Sequence, residues 1–245
     1  MLSTDPVPSP AKKRVACVLG GLGGIGHSVS RVLDQNCWTV IIGSRNAAGL
    51  NQAADSSHVV PLPGSPSDPA VWAALQNLAE RSFADCIDCI IVSTGNLEFV
   101  SSLDMTRGQV EAAMDAHFYP ALNALQYATR QARRNPDSRC VVIFVGSTLC
   151  HEAEMDAGPY VVAKHALLGL YRAACEDQFG LESRLAVKII CPPNVDTPLW
   201  TKAGLATGVP RPEGPDDSTE EPLKAETIAQ QIYDQITQSF SKWEI

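Results

Sequence analysis

Short β-branched runs alternate along the chain with longer stretches in which apolar residues recur every three or four positions. The runs are RVACVL (14–19), TVIIG (39–43), HVVPL (58–62), CIDCIIVS (86–93), RCVVIFVG (139–146) and LAVKIIC (185–191). The stretches between them are rich in Ala and Leu and predict helices over 25–35, 70–81, 109–134, 160–179 and 225–239. Pro120 interrupts the third, which is either two helices or one kinked helix. Strands that alternate with helices predict an α/β fold with a parallel sheet covered on both faces.

Residues 1–12, rich in Pro and Ser, read as a disordered tail, and 13–245 as one domain. The segment 198–222 carries five prolines with Gly and acidic residues, so it reads as a loop and a candidate substrate lid. The closing SKWEI is read as a brief final strand.

At 245 residues and 45% hydrophobic content, the chain can bury the core of one large domain. The formal charge of -8 and the pI near 5.1 oppose a nucleic-acid or anionic-membrane partner and favour a small-molecule substrate. The opening residues hold no apolar segment of signal-peptide length, and no stretch offers about 18 consecutive apolar residues. A cytoplasmic protein is therefore expected. The eight cysteines are scattered, mostly within apolar runs, as buried thiols of a reducing compartment are. Cys86 and Cys89 form a lone Cys-x-x-Cys with no second pair, so no metal site is expected.

The run GGLGGIG (20–26) follows the first strand and opens the first helix. In that context glycines permit a tight turn and close approach of a pyrophosphate, which sits at the positive end of the helix. After the second strand, where a carboxylate would bind a ribose 2′-hydroxyl, stand Gly43, Ser44, Arg45 and Asn46. Arg45 can grip a 2′-phosphate bidentately while Ser44 adds a hydrogen bond, which favours NADP(H) over NAD(H).

Tyr160 and Lys164 are four residues apart in a helical stretch and share one face, with Ser147 upstream. A cation beside a phenol lowers its pKa from about 10, so Lys164 is expected to acidify Tyr160. Such a phenol exchanges a proton with an alcohol or carbonyl oxygen, and Ser147 would hold that oxygen.

Together these residues resemble the classical short-chain dehydrogenase/reductase family, whose glycine motif matches at Gly20, Gly24 and Gly26, with Ile25 between. Its catalytic Ser, Tyr and Lys match at Ser147, Tyr160 and Lys164. The resemblance implies a Rossmann-like doubly wound parallel sheet and a nicotinamide cofactor. It also implies Tyr160 as general acid/base, Lys164 on the nicotinamide ribose, Thr197 near the carboxamide, and a homo-oligomer, dimer or tetramer, formed through the helices at 109–134 and 160–179. The chain departs from the family at four places. Val92, Ser93, Thr94 and Gly95 replace an Asn-Asn-Ala-Gly stretch, so only Gly95 survives. Ser65 takes the place of an adenine-contacting aspartate, and Pro192 and Pro193 that of a Pro-Gly. His117 aligns with the asparagine that completes the catalytic tetrad. It is either a proton relay in its own right or a satisfied packing histidine.

The segment CHEAEMDAG (150–158) falls where the resemblance places a wall of the substrate pocket. Its carboxylates Glu152, Glu154 and Asp156 either attract an amine or iminium substrate or form a solvated loop. His151 is a candidate substrate contact with Ser147, Tyr160, Pro193 and Trp200, whereas His165 is read as packing off the catalytic face. The leading expectation is an NADPH-dependent reductase of a carbonyl or imine on a small, largely apolar molecule. A cyclase or isomerase with a structural or transiently used cofactor, and a non-catalytic NADP(H)-binding sensor, remain open.

Overall fold

The computed structural model describes residues 13–54, 58–178, 180–199 and 221–243. The six apolar runs form six parallel strands: β1 (Val15–Leu19), β2 (Thr39–Ser44), β3 (Val59–Pro63), β4 (Cys89–Val92), β5 (Cys140–Val145) and β6 (Leu185–Ile190). Their order in the sheet is β3-β2-β1-β4-β5-β6. The chain therefore changes direction across the sheet between β1 and β4, which leaves a crevice at the carboxyl ends of those strands. This is the expected Rossmann-like, doubly wound α/β architecture.

Alternate strand residues feed two apolar layers. Cys17, Leu19, Ile90, Val142 and Phe144 pack under helices α3 (Pro69–Ser82), α4 (Arg107–Arg134) and α5 (Gly158–Asp177). Ala16, Val18, Ile91, Val141 and Ile143 pack on the other face under α1 (Gly24–Gln35), α2 (Ala47–Ala53) and α6 (Ala225–Trp243). Burial on both faces is what makes these strands apolar throughout rather than alternating.

Local chemistry sets the helix starts. Asp68 caps α3 by accepting from the Ala70 amide, with Pro69 just inside the helix. A reciprocal capping box of Thr106 and Gln109 starts α4 at Arg107. Pro120 lies buried within α4, which is one run of 28 residues and not two helices.

Three differences from the sequence reading stand out. The seven-residue α2 was not expected. A two-stranded pair, β7 (Val195–Asp196) and β8 (Leu223–Lys224), closes the segment after β6 onto the start of α6. The C-terminal residues through Trp243 extend α6 and form no strand, because Trp243 stacks edge-on against Phe240 and its indole N–H donates to the Glu182 carbonyl. The tail at 1–12 and positions 200–220 of the lid segment lie outside the described residues.

Candidate active site

The turn after β1 is shaped by close contacts that only glycine tolerates. Gly20 has φ +80°, and a Cβ there would stand 2.6 Å from the Ser93 carbonyl oxygen. A Cβ at Gly26 would collide with the Gly20 carbonyl oxygen, and one at Gly24 with the Thr197 side chain. Helix α1 starts here with no side-chain cap on Gly23 and no acidic residue in its first turn. Its leading amides thus lack a protein partner of the usual kind, and the positive end of the helix is left for an anion. Those features fit the pyrophosphate of a dinucleotide.

One cleft of about 270 Å³ gathers most of the candidate residues: Gly24, Ile25, Gly95, His117, Ser147, Tyr160, Lys164, Pro193 and Thr197 all line it. Gly20 and Gly26 form the turn beneath. Thr94 of the altered stretch and Leu199 at the head of the lid segment join them, as do Asn194 and Val145, which were not singled out from sequence. Ser44 and Arg45 lie outside this lining, at the end of β2, which the Gly20 amide joins to the glycine turn by donating to the Gly43 carbonyl. The Ser44 hydroxyl accepts from the Asn46 amide, and Arg45 is exposed. His151 is exposed and does not line the cleft, and Trp200 lies outside the described residues. His165, read as packing, is exposed, with Nδ1 3.0 Å from the Val161 carbonyl oxygen.

Helix α5 carries Tyr160 and Lys164 inward on one face, and both are buried. The Lys164 ammonium lies 5.4 Å from the Tyr160 ring centroid and donates to the Val145 carbonyl at 2.9 Å. Ser147 leaves β5 in extended backbone, within hydrogen-bonding reach of the Tyr160 hydroxyl.

The expectation that Lys164 acidifies the phenol is not met. Burial dominates and pushes Tyr160 up to about 12; Ser147 opposes the rise, while Cys150 and Glu154 add to it. Of the three carboxylates in the 150–158 segment, only Glu154 acts on Tyr160 in this way. Burial also lowers Lys164 to about 8, partly offset by Cys150 and Cys191.

His117 sits on α4 with its ring against Gly95, where a Cβ would stand 2.5 Å from the imidazole Cε1. That contact accounts for glycine at the end of an otherwise altered stretch. Burial first, then the Lys164 charge, lowers His117 to about 3, so its imidazole is neutral at physiological pH. Nε2 lies 2.7 Å from the Asn96 carbonyl oxygen and 3.3 Å from the Asn96 amide nitrogen, and Nδ1 has no partner among the described residues. The Thr94 hydroxyl and the Asn96 amide oxygen are likewise buried without a partner there. Three orphaned polar atoms beside one cleft fit a bound ligand or ordered water.

A family model for short chain dehydrogenases matches residues 14–207. L-fucose dehydrogenase of Mus musculus is 26% identical over 204 residues, which cover 81% of this chain and 71% of that protein. The short-chain dehydrogenase anuF of Penicillium roqueforti is 25% identical over 214 residues, covering 77% and 76%. Among solved structures, Thermoplasma acidophilum aldohexose dehydrogenase superposes with a TM-score of 0.77 at 19% identity, over 94% of this chain and 89% of that one. That likeness speaks for the fold alone. No helix among the described residues is long and apolar enough to cross a membrane.

Proposed function

The chain belongs to the short-chain dehydrogenase family, whose members use a nicotinamide cofactor, and from that premise we propose that it is an NADPH-dependent reductase. The group reduced is a carbonyl or imine on a small, largely apolar molecule. The observation that carries this reading is that Tyr160, Ser147 and Lys164 line the same cleft as the start of α1, with the phenol held protonated.

Gly20, Gly24, Ile25 and Gly26 would hold the pyrophosphate, Ser44 and Arg45 the 2′-phosphate, and Gly95, Tyr160, Lys164 and Thr197 the nicotinamide riboside. Bound NADPH supplies hydride to the electrophilic carbon. Ser147 orients the substrate heteroatom and Tyr160 donates its proton to it. Burial keeps the Tyr160 phenol protonated at neutral pH, the form that donates a proton. The Lys164 ammonium stabilises negative charge left on Tyr160 after transfer.

The similarity to L-fucose dehydrogenase supports a second reading, in which a sugar hydroxyl is oxidised. Oxidation would use Tyr160 as the base rather than the acid. A panel of carbonyls, cyclic imines and L-fucose, followed by cofactor absorbance in both directions, separates the two. Tyr160→Phe should abolish turnover and spare cofactor binding. Unchanged turnover in that variant rejects the assigned role.

A homo-oligomer built on α4 and α5 belongs to the same proposal. Tyr119 on α4 and Val162 on α5 are exposed apolar anchors for that face. Light scattering of wild type and of a Tyr119→Glu/Val162→Glu double variant tests it, and a monomeric wild type sinks it.

A further inference from the structure

Two cysteines far apart in sequence meet beneath the reaction centre. Cys150 closes the 3-10 turn at Thr148–Cys150 that follows Ser147, and Cys191 follows the last residue of β6. The parallel register pairs Val145 with Ile190, so the residues that come next, Gly146 and Cys191, face each other. A Cβ on Gly146 would stand 2.8 Å from the Cys191 sulfur and 2.9 Å from the Cys150 sulfur. The missing side chain of Gly146 is thus the space both sulfurs share. Backbone bonds from Gly146 to the Ile190 carbonyl, at 2.7 Å, and from Thr148 to the Pro192 carbonyl, at 3.0 Å, hold the two segments in this register.

The two thiols differ in environment. The Cys191 S–H hydrogen-bonds the Cys150 sulfur, which lowers Cys150 to about 6 and raises Cys191, and the nearby Lys164 ammonium also favours a Cys150 thiolate. Cys150 is buried, and Cys191, against it, is half-buried. The exposed cysteines, Cys37 and Cys175, do not line the cleft. A thiolate against a thiol, with an adjacent cation, is the arrangement in which thiols oxidise readily.

We propose that Cys150 and Cys191 are a redox-modification site: a hydroperoxide converts them to a reversible disulfide that ties the Ser147 turn to the Pro192–Pro193 segment and lowers turnover. In the first step the Cys150 thiolate attacks the peroxide. An S–O bond forms, the O–O bond breaks, and the departing hydroxide or alkoxide takes the proton of Cys191. The Cys191 thiolate then attacks the Cys150 sulfur. The S–S bond forms, the S–O bond breaks, and hydroxide leaves and becomes water on protonation. The two thiols are oxidised by two electrons in total, which reduce the peroxide, and a dithiol reductant reverses the change.

The consequence for turnover rests on the reductase reading, whereas the bond does not. Ser147, Pro192 and Pro193 all line the cleft, so a covalent tie between their segments fixes its floor. Oxidation also removes the thiolate that helps keep Lys164 charged.

The test treats the full-length protein with a small molar excess of hydrogen peroxide, then alkylates and digests it without reductant. The expected product is a peptide pair linked through Cys150 and Cys191, lighter by two hydrogen atoms and released by dithiothreitol. Reductase activity should fall about tenfold or more and return with dithiothreitol, and Cys191→Ser and Cys191→Ala should keep their activity under peroxide. Circular dichroism shows whether either variant is folded. Peroxide products confined to Cys37 or Cys175, or an overoxidised Cys150 with no link, overturn the site. A link that forms while activity stays constant overturns its effect on turnover. Should no reductase substrate be found, the mass measurement alone decides whether the disulfide forms.

Discussion

His117 stands edge-on to Tyr160, with ring centroids 5.0 Å apart and planes at 86°. The imidazole therefore packs against the candidate proton donor while one of its nitrogens, Nδ1, has no partner among the described residues. Being neutral, it cannot pass protons by cycling through the imidazolium near pH 7.

This burial has a stability consequence with a defined sign. His117 has a folded pKa of about 3 against 6.5 when unfolded, so the unfolded chain binds the proton first. The stabilisation is fully present above pH 6.5 and is lost as pH falls toward 3. Urea unfolding should give a free energy about 2 kcal/mol lower at pH 5 than at pH 7 from this group. His117→Asn should lack that increment, and an equal pH slope in the variant would remove the assignment.

Lys164 predicts the opposite limb of the rate profile. Its ammonium, with a pKa of about 8, is lost as pH rises through that value, while Tyr160 keeps its proton until about 12. Reductase kcat should fall above pH 8 along a single ionisation. Lys164→Gln should lower kcat roughly a hundredfold and abolish that limb. A wild-type limb first appearing above pH 10 would contradict the burial argument.

The glycine turn separates side-chain from backbone crowding. A methyl at Gly24 meets Thr197, a side chain that can be cut back, whereas a methyl at Gly26 meets the Gly20 carbonyl, which cannot. Gly24→Ala should weaken NADPH binding, and Thr197→Gly should restore part of the loss in the double variant. Gly26→Ala should also lower stability by about 1–3 kcal/mol, with no such rescue. Fluorescence titration and thermal unfolding of the four proteins read both effects.

Cofactor preference tests Arg45. Replacing its guanidinium with a carboxylate exchanges a phosphate partner for a ribose-hydroxyl partner. Arg45→Asp should shift the ratio of kcat/KM for NADPH over NADH toward NADH by at least about tenfold. An unchanged ratio would leave Arg45 as a solvated loop residue.

All six sheet strands were legible because each is a short apolar run bounded by polar residues. The cleft was legible through residues whose chemistry needs fixed spacing: the glycine run, and Tyr160 with Lys164. What escaped depends on contacts between remote segments. The seven residues of α2 are too few for periodicity to register. SKWEI reads as extended until Phe240 and Glu182 are seen to receive Trp243. The Tyr160 pKa could not be read from its spacing to Lys164, since the dominant influence is exclusion of water by the whole site. Cys150 and Cys191 meet only because β5 and β6 are neighbours in the sheet.

Helix α1 begins without a protein cap, so water must answer its leading amides whenever no anion does. A turn anchored by its guest and not by its own side chains loosens when the guest departs. Hydrogen exchange at Gly24 and Ile25 should then report occupancy directly, without any need to know what the protein converts.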